Sequence, residues 1–205
     1  MEMGWKMHMK IYDITQELFR GRVYPGDLPP TYDRVSDMKK GDLYNLTSLS
    51  LGAHNATHVD APFHFYENGK TVEEIELARC IGPCTVIELE EGKGNHLHEL
   101  LKSCQKRILI KGVTEITLEM AQLFNKHEII LVGVETQSVG PESAPMQVHL
   151  ELLGKEVVLL EGIQLNEVSP GDYFLFAAPM KLGECDGAPC RAVLLKFDKS
   201  PTCIC

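Results

Sequence analysis

Short runs of apolar residues recur along this chain, separated by segments in which apolar and polar residues mix at helical spacing. The runs predict β-strands, since branched and aromatic residues in stretches of roughly four to eight suit a pleated sheet. Strands are predicted at 11–15, 83–89, 107–112, 129–134, 157–160, 173–178 and 192–197. Helices are predicted at 95–104, 117–124 and 145–153. Strands that alternate with helices in this way indicate an α/β fold.

Individual residues refine these boundaries. Asn95 is of a type that caps helix N-termini, and Gly154 is of a type that follows helix C-termini, so they mark the start of the first helix and the end of the last. Residues 24–30 are too rich in proline for a helix and predict a loop. Residues 46–58 are rich in Ser, Thr and Leu, lack helix-forming charge, and are predicted to be extended.

Length and charge limit the protein class. The chain has 205 residues, which suits one domain spanning residues 1–205. It carries 20 Lys and Arg against 29 Asp and Glu, a net charge of −9 with neutral histidines. Nucleic acids and anionic membranes bind concentrated basic surfaces, so neither is predicted as a partner.

The sequence gives no indication of membrane insertion or export. No stretch approaches the roughly 18–20 apolar residues of a spanning helix, and residues 1–10 contain no apolar signal-peptide core. The seven cysteines are odd in number and form no pair of CxxC motifs, which predicts reduced thiols. We therefore expect a cytoplasmic protein.

One segment, residues 54–64, concentrates the chemistry. His54, His58, Asp60 and His64 are separated by four, two and four residues. On a strand such positions face the same side, whereas a helix would split them into opposed pairs, and Pro62 disfavours a helix here. Extended backbone would therefore bring His54, His58 and Asp60 together, with His64 following the bend at Pro62.

Two imidazoles and a carboxylate form a mixed nitrogen and oxygen donor set suited to Zn²⁺, Mn²⁺ or Fe²⁺. The alternative is an ordinary polar loop. Three histidines and one aspartate in phase within eleven residues favour the metal site.

Further ligands are less certain from the residues alone. His149 lies on the predicted helix among apolar neighbours, which also suits a histidine of the core. Glu161 ends the predicted strand 157–160, which also suits a solvated turn. His96 and His98 are predicted to lie in an exposed first helical turn. The chain has no G-x-S-x-G nucleophile motif, phosphate-binding loop or G-x-G-x-x-G motif, so those enzyme classes have no support.

The pattern His54-x-x-Thr57-His58-x-Asp60-x-Pro62-x-His64-Phe65 resembles the signature of the metal-dependent cyclase family, which includes bacterial kynurenine formamidases and isatin hydrolases. The resemblance extends over nearly the whole chain. It includes the segments 11–15, 24–27, 133–138 and 186–191, together with His149 and Glu161.

The resemblance implies a fold and a set of residue roles. The fold is a single α/β domain of the swivelling β/β/α type, with a mixed sheet and flanking helices. One metal ion would be bound by His54, His58 and Asp60, and a second by Asp60, His149 and Glu161. His64 would be the proton shuttle, and Tyr24 occupies the place of a substrate-contacting Trp.

The implied function is hydrolysis of an aryl formamide, such as N-formylkynurenine in tryptophan catabolism, to an aryl amine and formate. Metal-activated hydroxide would attack the carbonyl while His64 moves the proton. The cofactor would be one or two divalent ions, Zn²⁺ first and Mn²⁺ as the alternative. Phe63, Phe65 and Tyr24 would form the wall for a small aromatic amide, in a homodimer or higher homo-oligomer.

Two alternatives stay open. One is a hydrolase of the same family that acts on a cyclic amide resembling isatin. The other is a non-catalytic protein that binds metal or a small ligand, although a pure binder has no need of a shuttle at His64. Three departures from the family pattern bear on specificity, namely Ala56 for Gly, Glu135 for Asp and Tyr24 for Trp.

Overall fold

The computed structural model describes residues 9–89, 96–113, 115–141 and 144–197. The strands are β1 (Met9–Asp13), β2 (Thr31–Ser36), β3 (Leu46–Ser50), β4 (His58–Asp60), β5 (Ile81–Glu88), β6 (Arg107–Lys111), β7 (Leu131–Val134), β8 (Val158–Glu161), β9 (Gly171–Phe176), β10 (Gly187–Pro189) and β11 (Val193–Phe197). The helices are α1 (Leu77–Cys80), α2 (Leu97–Ser103), α3 (Leu118–Lys126) and α4 (Met146–Leu153).

Nine strands form one sheet in the order β1-β11-β9-β5-β6-β7-β8-β4-β10. The central strands β5 to β8 run parallel, and the strands outside them are antiparallel to their neighbours. This mixed sheet with flanking helices confirms the predicted α/β fold. Each parallel connection crosses over the sheet through a helical segment, which is how α2, α3 and α4 come to flank it.

The core lies on both faces of the sheet. In β8, Val158 and Leu160 pack into one cluster of buried residues, and Leu159 between them packs into the other. The second cluster also contains Phe124 from α3 and Leu152 from α4. Because alternate residues of a strand point to opposite faces, an unbroken apolar run is what a strand covered on both sides requires.

Most predicted strands and helices are confirmed with shifts of one to three residues at their ends. The structure adds β2, β10 and α1, which were not predicted. The predicted helix cap Asn95 lies outside the described residues, and α2 begins at Leu97. The extended conformation predicted for residues 46–58 is wrong for residues 51–57, where the chain turns between β3 and β4.

That turn is held by side chains as well as by backbone. The amide of Gly52 donates to Asn55 Oδ1 at 2.7 Å. The hydroxyl of Thr57 donates to the carbonyl oxygen of Gly162 at 2.6 Å and accepts from the amide of Gln16 at 2.8 Å. Ala56 has a φ of 55°, in the left-handed region that an alanine rarely adopts. Ala56, which stands where the family pattern has glycine, is therefore held in a strained backbone conformation.

Within the described ranges, strands β2 and β3 pair only with each other and form a hairpin arm, residues 31–50. Apolar side chains are exposed along it, namely those of Tyr32, Val35, Met38, Leu43, Tyr44, Leu46 and Leu49. The described residues contain no helix of the length and apolarity needed to cross a bilayer. Their five cysteines are all free thiols.

Candidate metal centre

Strand β4 places two of the predicted site residues side by side. His58 and Asp60 are two residues apart on this strand, so they face the same side of the sheet. The neighbouring strand β8 is antiparallel and sets Glu161 directly opposite His58. All three side chains are buried. Two carboxylates and an imidazole are thus brought together out of contact with bulk water.

The ring of His58 is oriented by the turn before it. His58 Nδ1 lies 2.9 Å from the carbonyl oxygen of Ala56, so that nitrogen carries the proton and donates it. The other nitrogen, Nε2, faces Asp60 Oδ1 and Glu161 Oε2, each at 3.3 Å. A neutral His58 therefore directs a lone pair toward two carboxylates.

Helix α4 supplies His149, which faces the same two carboxylates as His58. Its Nδ1 donates to the carbonyl oxygen of Pro145 at 2.8 Å, which turns Nε2 inward. That nitrogen lies 3.6 Å from Asp60 Oδ2 and 3.4 Å from Glu161 Oε1. The two oxygens of Asp60 therefore face different histidines. Oδ1 faces His54 and His58, and Oδ2 faces His149.

His54 enters the site from the turn 51–57. Its Nδ1 lies 2.8 Å from Asp60 Oδ1, and its Nε2 lies 2.7 Å from Asp186 Oδ2. The absence of a side chain at Gly187 makes room for this ring, because a Cβ there would stand 2.8 Å from His54 Cε1. The ring of His64 stacks on that of His54, with centroids 4.1 Å apart.

Two buried atoms at the centre lack partners. Neither His58 Nε2 nor Asp60 Oδ2 has a hydrogen-bond partner among the residues that the structure describes. Buried polar atoms are seldom left unsatisfied, because each costs free energy. A cation between these atoms and the carboxylates would satisfy them, so the residues present fit a divalent metal ion.

The pKa values show the same preference for positive charge. Burial lowers the pKa of His58, but Asp60 and Glu161 more than offset burial and raise it to about 9. The pKa of His54 is lowered by burial and raised by Asp60 and Asp186, with a net rise to about 10. Burial raises the pKa of Asp60, yet His54 and His58 hold it well below its usual range. In the metal-free protein, protons on His54 and His58 supply the positive charge that a metal ion would supply.

Among the residues with described positions, two groups of side chains bring their ligand atoms within 4.8 Å of one another. They are His58, Asp60 and Glu161 in one group, and His54, Asp60 and His64 in the other. Asp60 belongs to both groups. His64 stands here beside the predicted ligands rather than apart from them, so geometry alone allows it either role.

A cavity of about 220 Å³ opens beside the centre. Tyr24 and Phe65 line it, together with Asp27, Gln137, Ser138 and Pro145. Phe63 does not line this cavity and is 38% exposed. Of the three aromatic residues predicted to contact substrate, the structure brings Tyr24 and Phe65 to the site.

Sequence analysis missed Asp186 as a site residue. Its carboxylate contacts His54 and His64, although it follows them by more than 100 residues. No periodicity could connect residues so far apart. The only signal in the sequence is the segment 186–191, whose resemblance to the family implies no role for Asp186.

Comparison with known proteins identifies the family. The cyclase family model matches residues 12–108. The chain is 34% identical to "Kynurenine formamidase" of Geobacillus thermodenitrificans (strain NG80-2) over 207 residues, covering 90% of this chain and 97% of that protein.

Solved structures share the fold. A potential metal-dependent hydrolase with cyclase activity superposes with a TM-score of 0.79 at 26% identity, covering 95% of this chain and 100% of the other. Isatin hydrolase A from Labrenzia aggregata superposes with a TM-score of 0.76 at 20% identity, covering 93% and 94% of the two chains, and shows the same fold. From the near full-length relative and the buried centre together, this chain belongs to the cyclase family and is a hydrolase of that family.

Proposed function

We propose that this protein is a metal-dependent amide hydrolase that cleaves an aryl formamide, such as N-formylkynurenine, to the aryl amine and formate. Two buried atoms carry the proposal, His58 Nε2 and Asp60 Oδ2, which have no hydrogen-bond partner in the described part of the chain and lie beside an open cavity with aromatic walls. The similar protein named kynurenine formamidase supports the choice of substrate.

The metal would be held from two sides of Asp60. His54, His58 and Asp60 would form one binding site, and Asp60, His149 and Glu161 a second. Such a donor set suits Zn²⁺, which we propose as the resident ion, and also Mn²⁺. A divalent ion here would act as a Lewis acid on the amide carbonyl and would lower the pKa of its water toward about 7.

His64 is the residue we assign to proton transfer. It sits at the mouth of the centre with its side chain 30% exposed, whereas the proposed ligands His58 and Asp60 are buried. Its Nδ1 faces Asp186, so Nε2 is the nitrogen free to take a proton from water. The same nitrogen would return that proton to the leaving amine, a task that suits an imidazole.

The cavity wall would hold the aromatic part of the substrate. Tyr24 and Phe65 offer flat apolar surface, and Gln137 and Ser138 offer polar groups near the centre. Exclusion of water by the aromatic residues would strengthen the electrostatic interactions of the carbonyl during attack.

The test combines metal content with turnover. Protein stripped by a chelator and reloaded with Zn²⁺ or Mn²⁺ should bind one to two ions per chain and hydrolyse N-formylkynurenine. Isatin serves as the second substrate, and faster turnover of isatin would transfer the assignment to a cyclic amide. Protein that binds no metal on titration, or that binds metal without hydrolysing either substrate, would overturn the proposal.

His64→Ala separates the two roles that geometry allows. Loss of turnover with metal content unchanged is the expected result for a proton shuttle. Loss of the metal would instead make His64 a ligand.

We also propose that two copies of the chain associate through the hairpin arm. An isolated two-stranded hairpin is marginally stable in water. Among the described residues its apolar side chains stay largely exposed, although Tyr32 makes a T-shaped contact with Phe19. The arm holds three basic and three acidic residues, so it is neutral on a chain of charge −9. Like-charged copies can approach there with least repulsion, and groups of both signs can pair across a twofold axis.

Sedimentation equilibrium tests this association. The native chain should be a dimer or larger, and the double variant Leu43→Asp/Leu49→Asp should be a monomer of unchanged circular dichroism. Met180→Asp, an exposed apolar position outside the arm, is the control and should keep the native mass. A monomeric native chain would refute the interface.

A further inference from the structure

Asp186 lies between two histidines of the centre. Its Oδ2 is 2.7 Å from His54 Nε2 and 3.2 Å from His64 Nδ1. The two rings stack against each other, and Phe65 meets the His64 ring edge-on at a centroid distance of 4.6 Å. The His64 side chain is therefore held by stacking on His54, by the T-shaped contact with Phe65 and by the hydrogen bond to Asp186.

The backbone around Asp186 is anchored on the segment that carries His64. The carbonyl oxygen of Asp186 accepts from the amide of Ala61 at 2.9 Å, and that of Cys185 accepts from the amide of Val72 at 2.9 Å. The next residue, Gly187, pairs with Asp60 in the sheet. The carboxylate thus has a fixed position relative to both the proposed ligands and the proposed shuttle.

We propose that Asp186 is a positioning residue that holds His64 in the tautomer with its proton on Nδ1. A carboxylate can only accept a hydrogen bond, so His64 Nδ1 must be the donor, and Nε2 is left with a free lone pair toward the cavity. The proposal rests on the proposed role of His64.

Asp186 also fixes the position of a proton on His54. It accepts from His54 Nε2–H, while His54 Nδ1 faces Asp60. In the metal-free protein Nδ1 is also protonated, because Asp60 too can only accept, and a metal ion would take the place of that proton. One carboxylate therefore sets the proton positions of a proposed ligand and of the proposed shuttle. Its side chain is 41% exposed, against 1% for Asp60, and it belongs to neither of the two candidate ligand groups.

Nuclear magnetic resonance can observe the tautomer without any substrate. In the zinc-loaded, ¹⁵N-labelled protein at pH 8, the two-bond ¹H–¹⁵N correlations of His64 should show the Nδ1–H form. His64→Gln assigns the signals by removing them. Asp186→Ala should lose the Nδ1–H form, and Asp186→Asn should keep it, because the amide oxygen still accepts. An Nε2–H form in the native protein, or no change in Asp186→Ala, overturns the proposal.

Kinetics give the second readout. At saturating metal, Asp186→Ala should lower kcat by about 10- to 100-fold with little change in KM. Saturating metal keeps the site occupied even if His54 binds more weakly. Under that condition the same change should cost nothing further in a His64→Ala background, since the remaining effect of Asp186 on kcat would act through His64. Asp172→Asn, on β9 and away from the cavity, is the control.

The results that would refute the role of Asp186 differ from those that would refute the proposed function. Equal losses in the native and His64→Ala backgrounds, or recovery of kcat by added metal alone, would reduce Asp186 to a structural or metal-retaining residue. A native enzyme inactive on every substrate would refute the proposed function, and the tautomer measurement would still decide the role of Asp186.

Discussion

Phe65 lies nearly flat on the ring of His149, with centroids 4.5 Å apart and an interplanar angle of 19°. It therefore does more than line the cavity, because it fixes the orientation of a proposed ligand from the helix α4. Stacked aromatic pairs contribute about 0.5–1.5 kcal/mol beyond burial of area. Phe65→Leu should weaken metal binding by the corresponding 2- to 10-fold, roughly, as measured by competition with a chelating dye.

Phe63→Leu is the matched control for this change. Phe63 is two residues away and aromatic, but it is largely outside the cavity and 38% exposed. It should leave metal affinity and KM unchanged. Equal effects from both variants would show that the stacking on His149 has no specific role.

His58→Ala should remove metal and activity together. Its Nε2 is buried between Asp60 and Glu161, and an alanine offers no ligand atom there. The measurement is elemental analysis after dialysis, beside turnover of the formamide. His98→Ala is the control, since His98 pairs with His127 at 3.0 Å away from the cavity. Retention of a full complement of metal by His58→Ala would remove it from the ligand set.

Gly187→Ala should disturb the centre through His54. A Cβ at this position would lie 2.8 Å from His54 Cε1 and 2.8 Å from the carbonyl oxygen of Val59. Overpacking of this kind costs about 1–3 kcal/mol of unfolding free energy. Denaturant titration should show that loss, and calorimetry should show weaker metal binding.

Gly52→Ala provides the comparison. The nearest atom to its Cβ would be Asn55 Oδ1 at 3.5 Å, an ordinary contact. We expect a stability change within about 0.5 kcal/mol. If Gly187→Ala were equally mild, the close fit of His54 against this glycine would have no energetic consequence.

The metal-free protein should lose stability as the pH rises from 7 to about 10. The folded-state pKa values of His58 and His54 are raised to about 9 and 10, above the unfolded value of about 6.5. Their contribution is complete below the unfolded pKa and is lost as the pH passes the folded pKa. The depressed pKa of Asp60 gives a contribution that is constant over this range.

Thermal unfolding of chelated and zinc-loaded protein between pH 7 and 9.5 measures this effect. Metal ligation requires neutral imidazoles, so the loaded protein has no such protons to lose. The difference in Tm between the two forms should therefore grow with pH. A chelated protein whose Tm follows that of the loaded form would show that these protons do not stabilise the fold.

The parallel strands β6, β7 and β8 were predictable because they are buried on both faces and so contain unbroken apolar runs. The strand β2 was missed because both of its faces are exposed, which leaves no hydrophobic periodicity. The strand β10 has three residues, including a glycine and a proline, and resembles a turn in sequence. Local pattern therefore identifies elements that bury apolar surface, and misses those held by their neighbours.

Part of the candidate site could be predicted from the two-residue periodicity of a β-strand. His58 and Asp60 do lie on a strand with a period of two. His54 reaches them by a turn through the left-handed backbone of Ala56, which periodicity could not show. The contact between Asp186 and His64 depends on the pairing of β10 with β4, and no local pattern predicts such a pairing.

The place of β4 in the sheet also fixes when this centre can exist. β4 is made before both of its neighbours in the sheet, β8 and β10, and seven other elements separate it from the nearer of them along the chain, namely α1, β5, α2, β6, α3, β7 and α4. Until both have left the ribosome, His58 and Asp60 have no sheet to join. Closing such a long loop is the slow, non-local step of folding. Loading of the centre must therefore follow the synthesis of α4 and β8, which carry His149 and Glu161. The contacts of Asp186 with His54 and His64 form only after the segment before β10 has been made as well.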